Sequence, residues 1–268
     1  KIDQVINREI SFNKVRSLYV VPTTVGTGSE VTNVAICEMI ERKTKKGLAD
    51  DLIYPDKAVL IPKLVKTLPY KFFATSSIDA LIHSIESFVS PNATYYSRIF
   101  SKEAMTIILG CYKKVVSGEN WNKYAKDFLY ASNLAGIAFN NAGCGAVHAL
   151  SYPLGGTYHI PHGEANMLMF EAVFKKYREK DPSGKINDLN FVLSNVLCCD
   201  KEVALNEMFK LLDLILKRNP LNTYGVKKEE LLEFAKSVIQ NQGRLLANNY
   251  TSLSEDEMLE IYESVFDK

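Results

Sequence analysis

The 268-residue chain has four histidines, and three of them, His148, His159 and His162, fall within fifteen residues. The fourth, His83, follows Asp79 by four positions. On a helix, residues at i and i+4 share one face, so this carboxylate and imidazole can grip a single divalent ion. Alone, the pair is a weak signal, and an ordinary helix with a satisfied histidine explains it better. The stretch 141–166 adds weight, because it also holds five of the chain's 14 glycines. Glycine beside histidine brings backbone close to a ligand or to another helix. Pro161-His162-Gly163 reads as a helix start, which places His162 at one N-terminus and His148 on the helix before it. Together Asp79, His83, His148 and His162 offer one oxygen and three nitrogens. That donor set suits Fe²⁺ or Zn²⁺ and not the oxygen-seeking Mg²⁺ or Ca²⁺. An ion that takes five or six ligands would keep a position open for a substrate.

The elements that must hold these residues fall into two groups. Residues 18–22, 31–40 and 57–62 are short apolar or β-branched runs suited to strands, and residues 41–46, which are charged, read as a solvated hairpin tip. Between the first two runs lies Thr23-Thr24-Val25-Gly26-Thr27-Gly28-Ser29-Glu30. So many small hydroxyl residues and glycines mark a tight loop with exposed backbone N–H groups. After Pro62 the apolar spacing becomes three and four. Helices are expected over 70–89, 97–116, 123–140, 163–177, 189–197, 201–216, 227–242 and 254–266. Turn residues at 90–92, 117–120, 181–184 and 218–220 separate them, and Ser254 followed by Asp256 and Glu257 marks a helix start. The fold class is therefore mainly α: an all-helical domain over residues 63–268, preceded by a β-rich piece over residues 1–62 that has too few helices for an α/β domain of its own.

Composition excludes several classes. Hydrophobic residues make up 47% and charged residues 24%, the balance of an ordinary globular protein. The net charge of +1 gives no overall pull on nucleic acid or on an anionic membrane. No apolar run approaches the roughly 18 residues of a membrane-spanning helix. Five cysteines without a C-x-x-C spacing make neither a disulfide framework nor a thiolate zinc site. They read as small buried groups in a reducing compartment, so a cytoplasmic protein is expected.

Three segments make the chain resemble the group III, iron-containing alcohol dehydrogenases. They are Pro22 to Val31, the Asp79-Ala80-Leu81-Ile82-His83-Ser84-Ile85-Glu86 run, and the stretch from His148 to Asn166 with its fourteen-residue separation of two histidines. The segments beginning at His148 and Pro161 are most similar to those of 4-hydroxybutyrate dehydrogenases, with butanol dehydrogenases near. The resemblance implies an oxidoreductase of dehydroquinate synthase-like fold that moves a hydride between NAD(H) or NADP(H) and a small primary alcohol or aldehyde. It implies a nucleotide-binding α/β domain, a helical metal-binding domain, and an active site between them. Asp79, His83, His148 and His162 are thereby expected to be ligands of Fe²⁺ or Zn²⁺. Thr23, Thr24, Gly26, Thr27, Gly28 and Ser29 are expected in the cofactor cleft.

Two departures from the family pattern qualify these expectations. Tyr152 stands where many relatives have a further histidine near the nicotinamide. Its phenol can donate a hydrogen bond but shuttles protons poorly at neutral pH. His159 is a nearby proton-relay candidate, with a plain surface role as the alternative. The family's glycine-rich phosphate loop is not found and would precede Lys1. The chain is accordingly expected to be a C-terminal portion, inactive alone, whose partner is the missing nucleotide-binding portion. Uncovered sheet edges in residues 1–62 then predict self-association into a homo-oligomer. A zinc glycerol dehydrogenase-like enzyme and a non-catalytic helical metal-binding or oligomerisation module are the alternatives.

Overall fold

The computed structural model describes residues 2–39 and 44–267. A short helix α1 (Ile2–Ile6) and four strands come first: β1 (Tyr19–Val20), β2 (Val34–Met39), β3 (Thr44–Ala49) and β4 (Lys57–Ala58). The strands β1 and β4 pair in parallel, with Tyr19 opposite Lys57. The antiparallel pair β2–β3 is a hairpin that sets Glu38 opposite Lys45 and Cys37 opposite Lys46. The charged tip expected over 41–46 is thus partly corrected. Lys45 and Lys46 belong to a strand, where opposite charges across the ladder favour pairing, and residues 41–43 lie outside the described residues.

Twelve helices in all are described, with α2 (Pro62–Val65), α3 (Tyr70–Val89), α4 (Tyr95–Val116), α5 (Ala125–Ala142), α6 (Ala146–Tyr158) and α7 (His162–Lys180) leading the helical part. The helices α8 (Lys185–Leu197), α9 (Ala204–Ile215), α10 (Leu231–Asn241), α11 (Gly243–Leu246) and α12 (Glu255–Ser264) complete it. The expected segment 70–89 matches α3, and the Ser254 start is a capping box in which the Ser254 hydroxyl and the Glu257 carboxylate exchange hydrogen bonds with each other's backbone N–H. Thr94 and Ser97 cap the start of α4 in the same way. The segment 227–242 instead opens as a 3₁₀ turn at Lys228–Glu230 before α10.

Helix α3 is the axis. From Phe73 to Val89 every residue except Ser76 is buried, its polar and charged side chains included. It packs against α4, α5 and α7, and Phe73 stacks on Trp121 with ring centres 4.3 Å apart. Its buried hydroxyls are satisfied locally. The Ser84 hydroxyl donates to the Ala80 carbonyl at 2.8 Å, and that of Ser87 to Ser84 at 3.0 Å.

The loop 23–29 reaches this bundle through its glycines. Gly28 has φ of 58°, in the left-handed region, and an added Cβ would lie 2.5 Å from the Cα of Gly136 on α5. Two backbones meet there with no side chain between them. Replacing Gly28 with Val should therefore cost about 2 kcal/mol or more in thermal or denaturant unfolding, from backbone strain and a clash that no rotamer relieves. Gly110, on α4 with open space around it, is the control. Gly110→Ala should raise stability by roughly 0.5–1 kcal/mol.

Candidate functional site

Three helices converge on one cavity of about 880 Å³. Helix α3 presents Asp79 and His83 one turn apart. Helix α6 carries His148, and α7 begins at His162. One oxygen of Asp79, Oδ1, lies 3.6 Å from Nε2 of His148 and 3.6 Å from Nε2 of His162. The other, Oδ2, is 3.9 Å from Nδ1 of His83. The imidazoles of His83 and His148 stack with centres 4.5 Å apart, and Phe139 covers the other face of His83 at 4.3 Å. All four residues line the cavity, so the four positions named from spacing are brought together.

Within this cluster Nδ1 of His83 and Nε2 of His148 are buried and have no hydrogen-bond partner. A buried, unpaired polar atom costs about 1–3 kcal/mol. Two such lone-pair positions beside a buried carboxylate are what a bound cation would satisfy. Potential ligand atoms of Asp79, His148 and His162 all lie within 4.8 Å of one another, and the same holds for His83, Cys144 and His148. His148 is common to both groups. The donor chemistry and the orphaned nitrogens therefore fit a transition-type divalent ion.

The protonation states of two of the histidines agree. Burial pushes His83 and His162 down to about 4, so both are neutral donors at pH 7. Burial alone would push the Asp79 carboxyl up, but the surrounding imidazoles His83, His162 and His148 hold it well below the usual carboxylate range. Burial likewise disfavours charge on His148, yet Cys144 and the carboxylates of Glu86 and Asp79 outweigh it and raise that imidazole. Burial raises the Cys144 thiol, which keeps it protonated and a weak ligand.

Several working residues escape sequence reasoning. Glu86, one turn beyond His83 on α3, sets an oxygen 2.5 Å from Nδ1 of His148, and its other oxygen accepts the Val147 N–H at 2.8 Å. That contact fixes the His148 ring so that Nε2 faces Asp79. Asn166, one turn into α7, donates to Oδ1 of Asp79 at 2.8 Å. The available signal for both was helical spacing from a suspected ligand. Lys45 and Arg244 also line the cavity. Burial lowers the Lys45 ammonium, opposed by the charges of Glu38 and Asp79.

The remaining expectations divide. Tyr152 is buried and lines the cavity, its ring centre 6.1 Å from that of His162. Burial raises its phenol further, which suits a hydrogen-bond donor and not a proton shuttle. Thr27 and Ser29 line the cavity, whereas Thr23 and Thr24 do not. Gly26 and Gly28 serve close packing, Gly26 against Ser76 and Gly28 against Gly136. His159 does not line the cavity. Helix α6 ends at Tyr158, and His159 takes a left-handed conformation with φ of 53°. Its side chain is 78% exposed and meets Glu38, a residue of the cavity wall, at 3.5 Å.

A sequence profile for the C-terminal part of the Fe-containing alcohol dehydrogenase family matches residues 73–266, and one for iron-containing alcohol dehydrogenase matches residues 3–62. The chain is 53% identical over 257 residues to a 4-hydroxybutyrate dehydrogenase of Clostridium kluyveri, covering 94% of this chain and 69% of that protein. It is 34% identical over 252 residues to a long-chain-alcohol dehydrogenase of Geobacillus thermodenitrificans, covering 92% and 62%. Among solved structures, an iron-containing alcohol dehydrogenase from Thermotoga maritima superposes with a TM-score of 0.80 at 26% identity, covering 99% of this chain and 68% of that one. The chain spans about two thirds of the length of these relatives.

Two measurements check the geometry. Glu86→Gln should leave the fold intact and weaken binding of zinc or iron about 10–100-fold, read by competition with a chromophoric chelator, because the His148 ring loses its anionic anchor. In the metal-free chain, NMR titration should find His83 and His162 neutral down to about pH 4. Between about pH 6.5 and 4 the unfolded chain binds more protons at these positions than the folded one. Their contribution to stability is complete above that window and is lost as pH falls through it.

Proposed function

The chain belongs to the iron-containing alcohol dehydrogenase family, and on that premise we propose that it provides the metal-binding side of an NAD(P)-dependent dehydrogenase acting on a short primary alcohol, 4-hydroxybutyrate foremost. The observation that carries this reading is the pair of buried, unpartnered imidazole nitrogens flanking the Asp79 carboxylate in one cavity. The substrate rests on the 53% identity to a 4-hydroxybutyrate dehydrogenase.

Asp79, His83, His148 and His162 would hold the ion. A divalent iron or zinc ion there supplies Lewis acidity, which polarises a carbonyl or lowers the pKa of an alcohol. The protein's own groups do the rest. Glu86 and Asn166 hold the ligands' orientation. Tyr152, kept protonated by burial, donates a hydrogen bond toward the substrate oxygen. Phe139, stacked on His83, gives the cavity an apolar wall beside the ligands. Thr27 and Ser29 lie on the same cavity wall, within reach of a nicotinamide nucleotide delivered to the cleft. The reaction itself is hydride transfer between the carbinol carbon and the nicotinamide ring, for which the protein's task is alignment. A misplacement of about 1 Å can cost ~10²-fold in rate.

Metal content of the anaerobically purified chain, beside a His162→Ala variant, tests the reading. The wild type should hold about one equivalent of iron or zinc and the variant should lose most of it. A wild type that stays empty after reconstitution with either ion overturns the proposal.

A further inference from the structure

A hydroxy acid needs a cation for its carboxylate, and the cavity presents two, Lys45 and Arg244. Lys45 is the half-buried one, and its charge acts on His162 of the ligand cluster. It stands opposite Glu38 in the hairpin register and feels the charges of Glu38 and Asp79. Arg244 pairs with no carboxylate among the described residues.

The position of Arg244 is set by the fold. It lies on α11, and the neighbouring Leu245 is buried and also lines the cavity. The Arg244 carbonyl accepts from Asn248, which also donates to the Cys144 carbonyl at 3.1 Å. Immediately before α11, Gln242 donates to the Lys45 carbonyl at 2.9 Å. The helix is thereby tied to both α6's entry loop and the hairpin. The guanidinium rests over Gly47 of β3, where an added Cβ would come within 2.8 Å of Nη2. The missing side chain at position 47 is the space the guanidinium occupies. The charge of Arg244 also acts on the Tyr152 phenol, which lies beside His162. Ile36, Phe139 and Leu245 give the cavity apolar surface, suited to a run of methylenes.

We infer that Arg244 is the carboxylate anchor of this site, selecting a short chain with a hydroxyl at one end and a carboxylate at the other over neutral alcohols. The inference rests on the dehydrogenase reading above. Arginine suits the task because its planar fork meets both oxygens of a carboxylate. Its head is exposed at the cavity rim, so the expected effect is modest.

The test is ligand-observed NMR titration of the zinc-reconstituted chain with 4-hydroxybutyrate and with 1-butanol, which does not depend on turnover. Wild type should bind the hydroxy acid about 10-fold or more tightly than the alcohol. Arg244→Gln should abolish that preference with 1-butanol binding unchanged, and Arg244→Lys should keep part of it. Gly47→Ala, which crowds the guanidinium without removing its charge, should weaken the preference while leaving Arg244 in place. Equal loss for both ligands in Arg244→Gln, or a wild type that takes up zinc but binds both alike, overturns the anchor and leaves the dehydrogenase reading standing. A wild type that takes up no zinc overturns the reading on which the anchor depends.

Discussion

The arrangement turns on a carboxylate buried among imidazoles. Asp79 is 2% exposed, and a lone ion at that depth would be strongly disfavoured. It persists because α3 surrounds it with groups that favour its charge: His83 on its own helix, His148 and His162 from two others, and the amide of Asn166. Those groups have to be supported in turn. Glu86 holds His148, and Glu86 is itself held by the N–H of Val147. The demand for charge compensation at one point therefore dictates which helices α3 must touch and in what register.

Much of this was legible from residue type and spacing. The i, i+4 pair Asp79–His83 and the proline–histidine start of α7 lie on strongly periodic helices, where side-chain direction follows from sequence position. The same periodicity set the bounds of α3, and Ser254 set the start of α12. Less legible was α6, which no period announced, because Pro153, Gly155 and Gly156 dilute its pattern while tertiary packing buries it throughout. Strand β3 was hidden for a different reason. Thr44-Lys45-Lys46-Gly47 is a poor strand sequence in isolation and is extended because β2 pairs with it. His159 follows the end of α6 and is exposed, so adjacency in sequence to two cavity histidines did not bring it to the cavity wall. Arg244 lies about 80 residues beyond His162, and only folding brings it to the cavity.

The glycines of the loop 23–29 act through packing. A run of small residues near a nucleotide cleft suggests direct contact with phosphate. Gly26 and Gly28 instead let the loop lie against α3 and α5, and Thr27 and Ser29, between and beside them, are the residues that reach the cavity. The glycines determine how close the loop comes, and the hydroxyl residues provide what it presents.

Helix α7 meets α3 with equal closeness at the cluster itself. A Cβ on Gly163 would come 2.0 Å from the Thr75 carbonyl oxygen, so backbone abuts backbone one residue after His162 and one turn before Asp79. The closest approach of the two helices is thus set by main-chain contact and not by whatever their side chains bind. Any further adjustment of the cluster falls to the side chains, which turn on a frame that cannot close.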